Sequence, residues 1–391
     1  MNLGIEAKHM EMQARHYRTW RILQRVARGP LQRIFCFTCE KAEPGIEPYL
    51  VVCNHNTDLD PALVALSFPD KQMYFVASEH VFRKGLPSKL LNYFFAPISR
   101  MKGSTDAAAA LEILRTLRKG KNVCLFAEGN RSFNGVTGPV FPATGKLSKA
   151  SGAALITYKL EGGYLTSPRW SKTLRKGRML GYVVNVYPPE QLKTMTPEQI
   201  NAAIAADLYE DAYERQAAEP VDYVGKRLAE GLENALYICP RCGKTGTLKS
   251  EGDRFFCTCG MEVQYTVRGT FAGAEVPFEN VRDWDVWQTE RMQEMAAQAG
   301  REPVLSDTGM SLQLVDEQHR SQTIATGMLT MSAEELRVGE QAFSLASINS
   351  MAQIGASTIL FTAEGKHYEL LSDAHYYCGR KYITLYQLLK K

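Results

Sequence analysis

Apolar residues fall in two rhythms along this chain. Short continuous runs at 49–53, 122–126 and 153–158 have the length of buried strands, and 33–39 reads as a further strand. Between them the spacing is helical. One helix is expected over about 6–29, ended by Gly29-Pro30; a second is capped by Gly103-Ser104-Thr105-Asp106 and closed by Gly120; a third covers 143–151 with Gly152 as its C-cap. Strands that are apolar throughout and alternate with helices predict an α/β domain whose sheet is largely parallel and flanked by helices. In such sheets ligands bind in the crevice outside the carboxyl ends of the strands. His55, just past 49–53, and Glu128, just past 122–126, therefore belong to one rim. Further on, Thr196-Pro197-Glu198-Gln199 is a capping box with proline at the first helical position, predicting a helix to about residue 216. A helix over 221–236 leads out of the domain, which ends near Tyr237.

Beyond that point the pattern changes. Cys239-Pro240-Arg241-Cys242 and Cys257-Thr258-Cys259-Gly260 are two cysteine pairs separated by fourteen residues. Four thiolates on two tight knuckles suit a structural, tetrahedral zinc in a small ribbon; disulfides or redox thiols are the competing reading. A helix around 283–287 follows, then alternating stretches at 328–331, 336–338, 358–361 and 368–371, and a closing helix over 376–389. Several short strands before one helix resemble a small barrel of the pleckstrin-homology or GRAM type. The expected organisation is an amphipathic helix (1–30), an α/β domain (31–236), a zinc ribbon (237–268), and a helix with a β-rich module (269–391).

Composition narrows the setting. With 391 residues the chain exceeds one core, and 45% hydrophobic and 23% charged residues exclude disorder. A net charge of +4 is too mild to predict a nucleic-acid partner. No run of apolar residues is long enough for a transmembrane helix and 1–8 lacks a signal-peptide core, so a cytoplasmic protein is expected. The first helix places Tyr17, Trp20, Leu23, Val26 and Ala27 on one half of its wheel and Arg18, Arg21, Arg25 and Arg28 on the other. That arrangement suits peripheral attachment to the inner face of a membrane, and equally a helix packed on its own domain with a solvated arginine face. Cys36, Cys39, Cys53, Cys124 and Cys378 are dispersed and read as reduced thiols.

Two constellations carry chemistry. In Asn54-His55-Asn56-Thr57-Asp58-Leu59-Asp60 a histidine precedes a carboxylate by five positions, so one turn can set the aspartate on one ring nitrogen and leave the other to take a proton. Histidine in general titrates near neutrality, which suits a general base acting on a hydroxyl. The spacing alone is common. In Phe126-Ala127-Glu128-Gly129-Asn130-Arg131-Ser132 a buried strand ends in an acid, a glycine that permits close backbone approach, and a guanidinium whose fork matches phosphate. Alone this is an ordinary strand-to-loop turn. A basic stretch around Trp170, with Arg169, Lys172, Arg175, Lys176 and Arg178, reads either as a grip for headgroup or coenzyme A phosphates or as a solvated loop.

Taken together, their order and separation resemble the glycerolipid acyltransferase family, whose best-known members acylate 1-acyl-glycerol-3-phosphate. That family has a His-x-x-x-x-Asp block, an arginine-bearing block corresponding to Phe95-Ala96-Pro97-Ile98-Ser99-Arg100, and a Phe-Pro-Glu-Gly-Thr-Arg-Ser block. Here Ala127 replaces the proline, Asn130 the threonine, and Thr57 a common serine; a later Pro-Val strand has only Ala154-Leu155-Ile156-Thr157-Tyr158 without the proline. The resemblance spans 48–188. It implies transfer of a fatty acyl group from a coenzyme A or acyl-carrier-protein thioester to a lysophospholipid hydroxyl. His55 would be the base, Asp60 its orienter, Arg100 and Arg131 the phosphate ligands, with Glu128 and Gly129 shaping the substrate site. The competing classes are a metal-dependent hydrolase using His55, Asp58 and Asp60, and a non-catalytic regulatory protein built on the zinc ribbon.

Overall fold

The computed structural model describes residues 2–78, 86–100, 107–316, 320–355, 357–372 and 377–390. The chain divides into two compact units, one of residues 1–168 and 175–223, the other of 169–174 and 224–391.

In the first unit the elements run α1 (Asn2–Val26), α2 (Arg28–Phe35), β1 (Phe37–Cys39), β2 (Tyr49–Cys53), α3 (Asp60–Ser67), β3 (Met73–Ser78), α4 (Leu86–Phe95), β4 (Ile98–Arg100), α5 (Ala107–Arg118), β5 (Asn122–Phe126) and α6 (Ala143–Ser151). They continue with β6 (Ala154–Glu161), α7 (Gly163–Thr166), β7 (Met179–Tyr187), α8 (Pro189–Thr194), α9 (Pro197–Leu208) and α10 (Ala212–Ala218). The strands form one sheet in the order β1-β7-β6-β2-β5-β3-β4. Every neighbouring pair is parallel except β6 with β7. The sheet is the largely parallel, helix-flanked one that the pattern predicts.

Central β2 explains why its sequence is apolar without alternation. Tyr49, Val51 and Cys53 face a core with Trp20, Leu63 and Phe68, while Leu50 and Val52 face a second core with Leu117, Leu155 and Ile204. All five strand residues are fully buried. A strand covered on both faces gains apolar burial at every position, about 1.5–3 kcal/mol for each large side chain.

Several expected elements differ. The helix expected to stop at Gly29-Pro30 breaks at Ala27 instead, and α2 runs through both residues to Phe35. Proline is harmless in a first turn, where its missing N–H would have no helical partner. The strand expected over 33–39 therefore shrinks to β1. On α1 the inward face carries His16, Trp20 and Gln24, whereas Tyr17 and Val26 point outward with the arginines. The Trp20 indole donates to Phe68 O at 3.1 Å and the Gln24 amide to Ala65 O, so polar side chains cap the last carbonyls of α3. The helix expected from Thr196 to about 216 has the capping box, but α9 ends at Leu208 and α10 restarts where the Asp211 carboxylate accepts from Tyr213 and Glu214 N–H. The helix expected over 221–236 is reduced to a 3-10 turn, Leu232–Asn234. The cap expected at 103–106 lies outside the described residues.

The second unit begins with the ribbon strands β8 (Leu248–Glu251), β9 (Arg254–Cys257), β10 (Glu262–Tyr265) and β11 (Phe271–Ala272), an antiparallel meander. Then α11 (Val281–Ala297) leads into seven antiparallel strands: β12 (Leu305–Val315), β13 (Ser321–Met331), β14 (Glu335–Val338), β15 (Gln341–Ser344), β16 (Ile348–Ile354), β17 (Thr358–Ala363) and β18 (Lys366–Ser372). Their order is β15-β14-β13-β12-β18-β17-β16, so a four-strand and a three-strand meander join where the first strand pairs with the last. The closing helix α12 (Gly379–Leu389) is fixed by Arg380, whose guanidinium grips Asp285 of α11 at 2.7 and 2.8 Å, and by Lys381 and Tyr382, both on Asp307. The segment 169–174 belongs to this unit: Trp170 is buried edge-on against Tyr265, and Arg169 bonds the carbonyls of Gln353 and Gly355. The basic stretch is thus not a solvated loop at its centre.

Candidate active site

β2 and β5 are parallel neighbours in register, Cys53 beside Phe126, so the residues that follow them emerge side by side at the carboxyl edge of the sheet. His55 leaves β2 and its ring stacks on Phe126, centroids 4.5 Å apart. Its Nδ1 lies 2.8 Å from Asp60 Oδ2.

Asp60 is the first residue of α3, where the helix dipole favours a carboxylate, and it is fully buried. Oδ2 also accepts the N–H groups of Asn56 (2.6 Å) and Thr57 (2.9 Å), and Oδ1 accepts Thr57 Oγ1 at 2.7 Å. Hydrogen bonds of this number satisfy a buried carboxylate and hold it in one place. The imidazole is thereby held by Nδ1, and Nε2 has no hydrogen-bond partner among the described residues. His55 keeps 21% of its side chain exposed.

Glu128, one residue beyond Ala127 at the end of β5, turns both oxygens onto backbone. Oε1 accepts the His55 N–H at 2.8 Å and Oε2 the Gly138 N–H at 2.6 Å. Burial pushes its carboxyl up to about 7, with the charges of Asp60 and Glu210 adding to the effect and the two N–H donors opposing it. Gly129 follows at φ +65°, and a Cβ there would lie 2.3 Å from the Phe141 ring, so no larger residue fits. Its N–H donates to Phe126 O. Arg100, at the end of β4, stacks over Phe141 with 4.4 Å to the ring centroid, and its Nη1 would lie 3.4 Å from that same Cβ. The structure therefore gathers His55, Asp60, Arg100, Glu128, Gly129 and Arg131 at one end of one sheet, although the first and the last, His55 and Arg131, are 76 positions apart.

Other residues at the site were not singled out by the sequence. Asn54 exchanges two 2.8 Å bonds with the backbone of Leu160, and the Asn56 amide also donates to Leu160 O. Polar residues flanking a histidine at the mouth of an apolar strand are a faint signal. The partner over a hundred positions away leaves none.

In the second unit Cys239, Cys242, Cys257 and Cys259 bring their sulfurs within 4.8 Å of one another, with Cys239–Cys259 at 3.7 Å and Cys242–Cys257 at 3.8 Å. A tetrahedron with metal–sulfur bonds of about 2.3 Å has edges of about 3.8 Å, so the four thiols fit one tetrahedral ion, and sulfurs this far apart are not disulfide-bonded. Among the described residues this is the cluster whose donor atoms converge as a metal set.

A crystal structure of the 1-acyl-sn-glycerophosphate (LPA) acyltransferase PlsC from Thermotoga maritima is similar over 51% of this chain and 79% of its own, at 15% sequence identity and a TM-score of 0.42. Residues 35–161 match the family model described as Acyltransferase, and that stretch holds the whole histidine–aspartate and glutamate–glycine–arginine arrangement.

Proposed function

We propose that the protein transfers a fatty acyl group from a thioester of coenzyme A or acyl carrier protein to the free hydroxyl of a lysophospholipid, with 1-acyl-glycerol-3-phosphate as acceptor and phosphatidic acid as product. The observation that carries this reading is the 2.8 Å bond from His55 Nδ1 to a buried Asp60 held by three further donors, beside an arginine that suits the acceptor's phosphate. His55 Nε2 takes the proton of the acceptor hydroxyl as its oxygen attacks the thioester carbon. Asp60 stabilises the resulting imidazolium. The C–S bond then breaks, and the departing thiolate recovers that proton from His55. No covalent acyl-enzyme is needed. Arg100 holds the phosphate, Glu128 fixes the loop through the His55 N–H, and Gly129 lets the Phe141 ring and Arg100 pack against the backbone beside Glu128.

A metal-dependent hydrolase fits less well. The oxygens of Asp60 already serve four protein donors and Asp58 faces Arg131 at 2.8 Å, so neither is placed as a ligand beside His55. Zinc is assigned instead to the four cysteines, where it would be structural because all four tetrahedral positions are protein sulfur. A membrane surface is the third partner. Ile22 and Val26 of α1 and Leu86, Leu90, Tyr93 and Phe94 of α4 are exposed, Arg18, Arg21 and Arg25 lie alongside, and Arg15 packs over the Tyr93 ring at 3.8 Å. Apolar side chains ringed by arginine suit an anionic lipid interface. No helix among the described residues is long and apolar enough to cross a membrane.

The direct test of single-step transfer is thiol release from acyl-coenzyme A. Release should require lysophosphatidic acid and match ester formed mole for mole. Steady release without acceptor would identify a thioesterase instead.

A further inference from the structure

The loop carrying His55 is tied down from two sides. Leu160 of β6 binds Asn54 and Asn56, and Glu128 takes the His55 N–H. The last tie comes from Arg131. Its Nε donates to Asn56 O at 3.0 Å, its Nη2 to Ser167 O at 2.7 Å, and its Nη1 lies 2.8 Å from Asp58 Oδ2. The Nε–Nη2 edge, one of the two that can grip a phosphate bidentately, is therefore spread across two backbone carbonyls.

These acceptors do not swing aside easily. Ser167 caps α7, its N–H donating to Gly163 O, and Asn56 has its N–H on Asp60 and its amide on Leu160. The Arg131 side chain is only 11% exposed, whereas Asp58 at 85% is the solvent-facing partner. Turning the guanidinium to a ligand would leave two carbonyls without this donor. Breaking such charge-assisted bonds is costly.

We propose that Arg131 is a positioning residue, not a ligand of the acceptor's phosphate. It clamps residues 56–58 to the end of α7, so that the Asn56 and Thr57 N–H groups stay on Asp60 and Asp60 stays on His55. Phosphate recognition then falls to Arg100. This inference rests on the acyltransferase reading above.

The test compares wild type, Arg131→Gln, Arg131→Lys and Arg100→Gln in steady-state transfer from acyl-coenzyme A to 1-acyl-glycerol-3-phosphate, with inorganic phosphate as a competing probe. A clamp whose loss misplaces the base should cost about ten- to a hundredfold in kcat. The acceptor KM and the phosphate inhibition constant should stay within about twofold, as expected when only an interaction made in the transition state is lost. Lysine should not rescue, because it cannot reach several acceptors as a planar fork. Arg100→Gln should show the reverse, a raised KM and weakened phosphate inhibition. Should the Arg131 variants fold poorly, Asp58→Asn removes the one exposed tie, and it should lower kcat with KM unchanged.

An active wild type whose Arg131→Gln raises KM or the phosphate constant tenfold with kcat retained overturns the proposal alone. So does rescue by lysine, or an Asp58→Asn that changes KM and not kcat. A wild type that transfers no acyl group overturns the acyltransferase reading, and this inference with it.

Discussion

Glu128 has the clearest consequence at the scale of single residues. Its folded-state value of about 7 lies above that of an ordinary glutamate, so the protonated form is favoured by folding. The sign follows from linkage: the contribution to stability is fully present below the unfolded value near 4.3 and is lost as pH rises through about 7. The slope cannot exceed about 1.4 kcal/mol per pH unit for one proton. Urea unfolding of the first unit between pH 5.5 and 8.5 should therefore show stability falling with pH in the wild type. In Glu128→Gln that part of the slope disappears, and overall stability drops by about 1–3 kcal/mol, because one of the two backbone donors meets an amide N–H. Parallel slopes in the two proteins would contradict the account. His55 and Asp60 were legible in the sequence because five positions is a local distance. Glu128's role was not: which backbone N–H groups its oxygens accept is decided by the register of β2 on β5 and by the loop that returns to Gly138.

Among elements, the two cysteine knuckles and the strands between them are where the proposed zinc would matter most. The ribbon core is small, so a tetrahedral zinc at the four sulfurs would supply much of its stability, and removing it should unfold the local structure. Elemental analysis should find about one zinc per chain in the wild type and none in Cys239→Ser/Cys257→Ser. A chelator should lower the thermal midpoint of the second unit. Protein purified without metal and indifferent to chelation would refute the zinc assignment. The cysteine spacing announced this element. Elsewhere legibility followed locality: β2 and β5 were read from uninterrupted apolar runs and α9 from its capping box, while the absence of a helix over 221–236 depends on contacts such as Gly231 against Trp170 O, whose would-be Cβ lies 2.1 Å away. Helical propensity in that segment yields to packing. The first helix shows the same override in orientation, since Gln24 is buried on α3 carbonyls and Val26 is left outside.

For the whole molecule the question is where it works. Exposed Ile22, Val26, Leu90 and Tyr93 beside Arg18, Arg21 and Arg25 predict binding to vesicles containing anionic lipid that weakens with salt. Reversing the three arginines to glutamate should remove at least about 1 kcal/mol each, roughly fivefold in partitioning per residue. Equal sedimentation of wild type and the triple variant would place the membrane contact elsewhere. The central claim is acyl transfer by a histidine base, and the most direct measurement of it is ester formation from acyl-coenzyme A and lysophosphatidic acid by wild type and His55→Ala side by side. Phosphatidic acid is expected from the wild type, with a fall of about a hundredfold or more in His55→Ala at unchanged folding. Transfer at the wild-type rate by His55→Ala would contradict it.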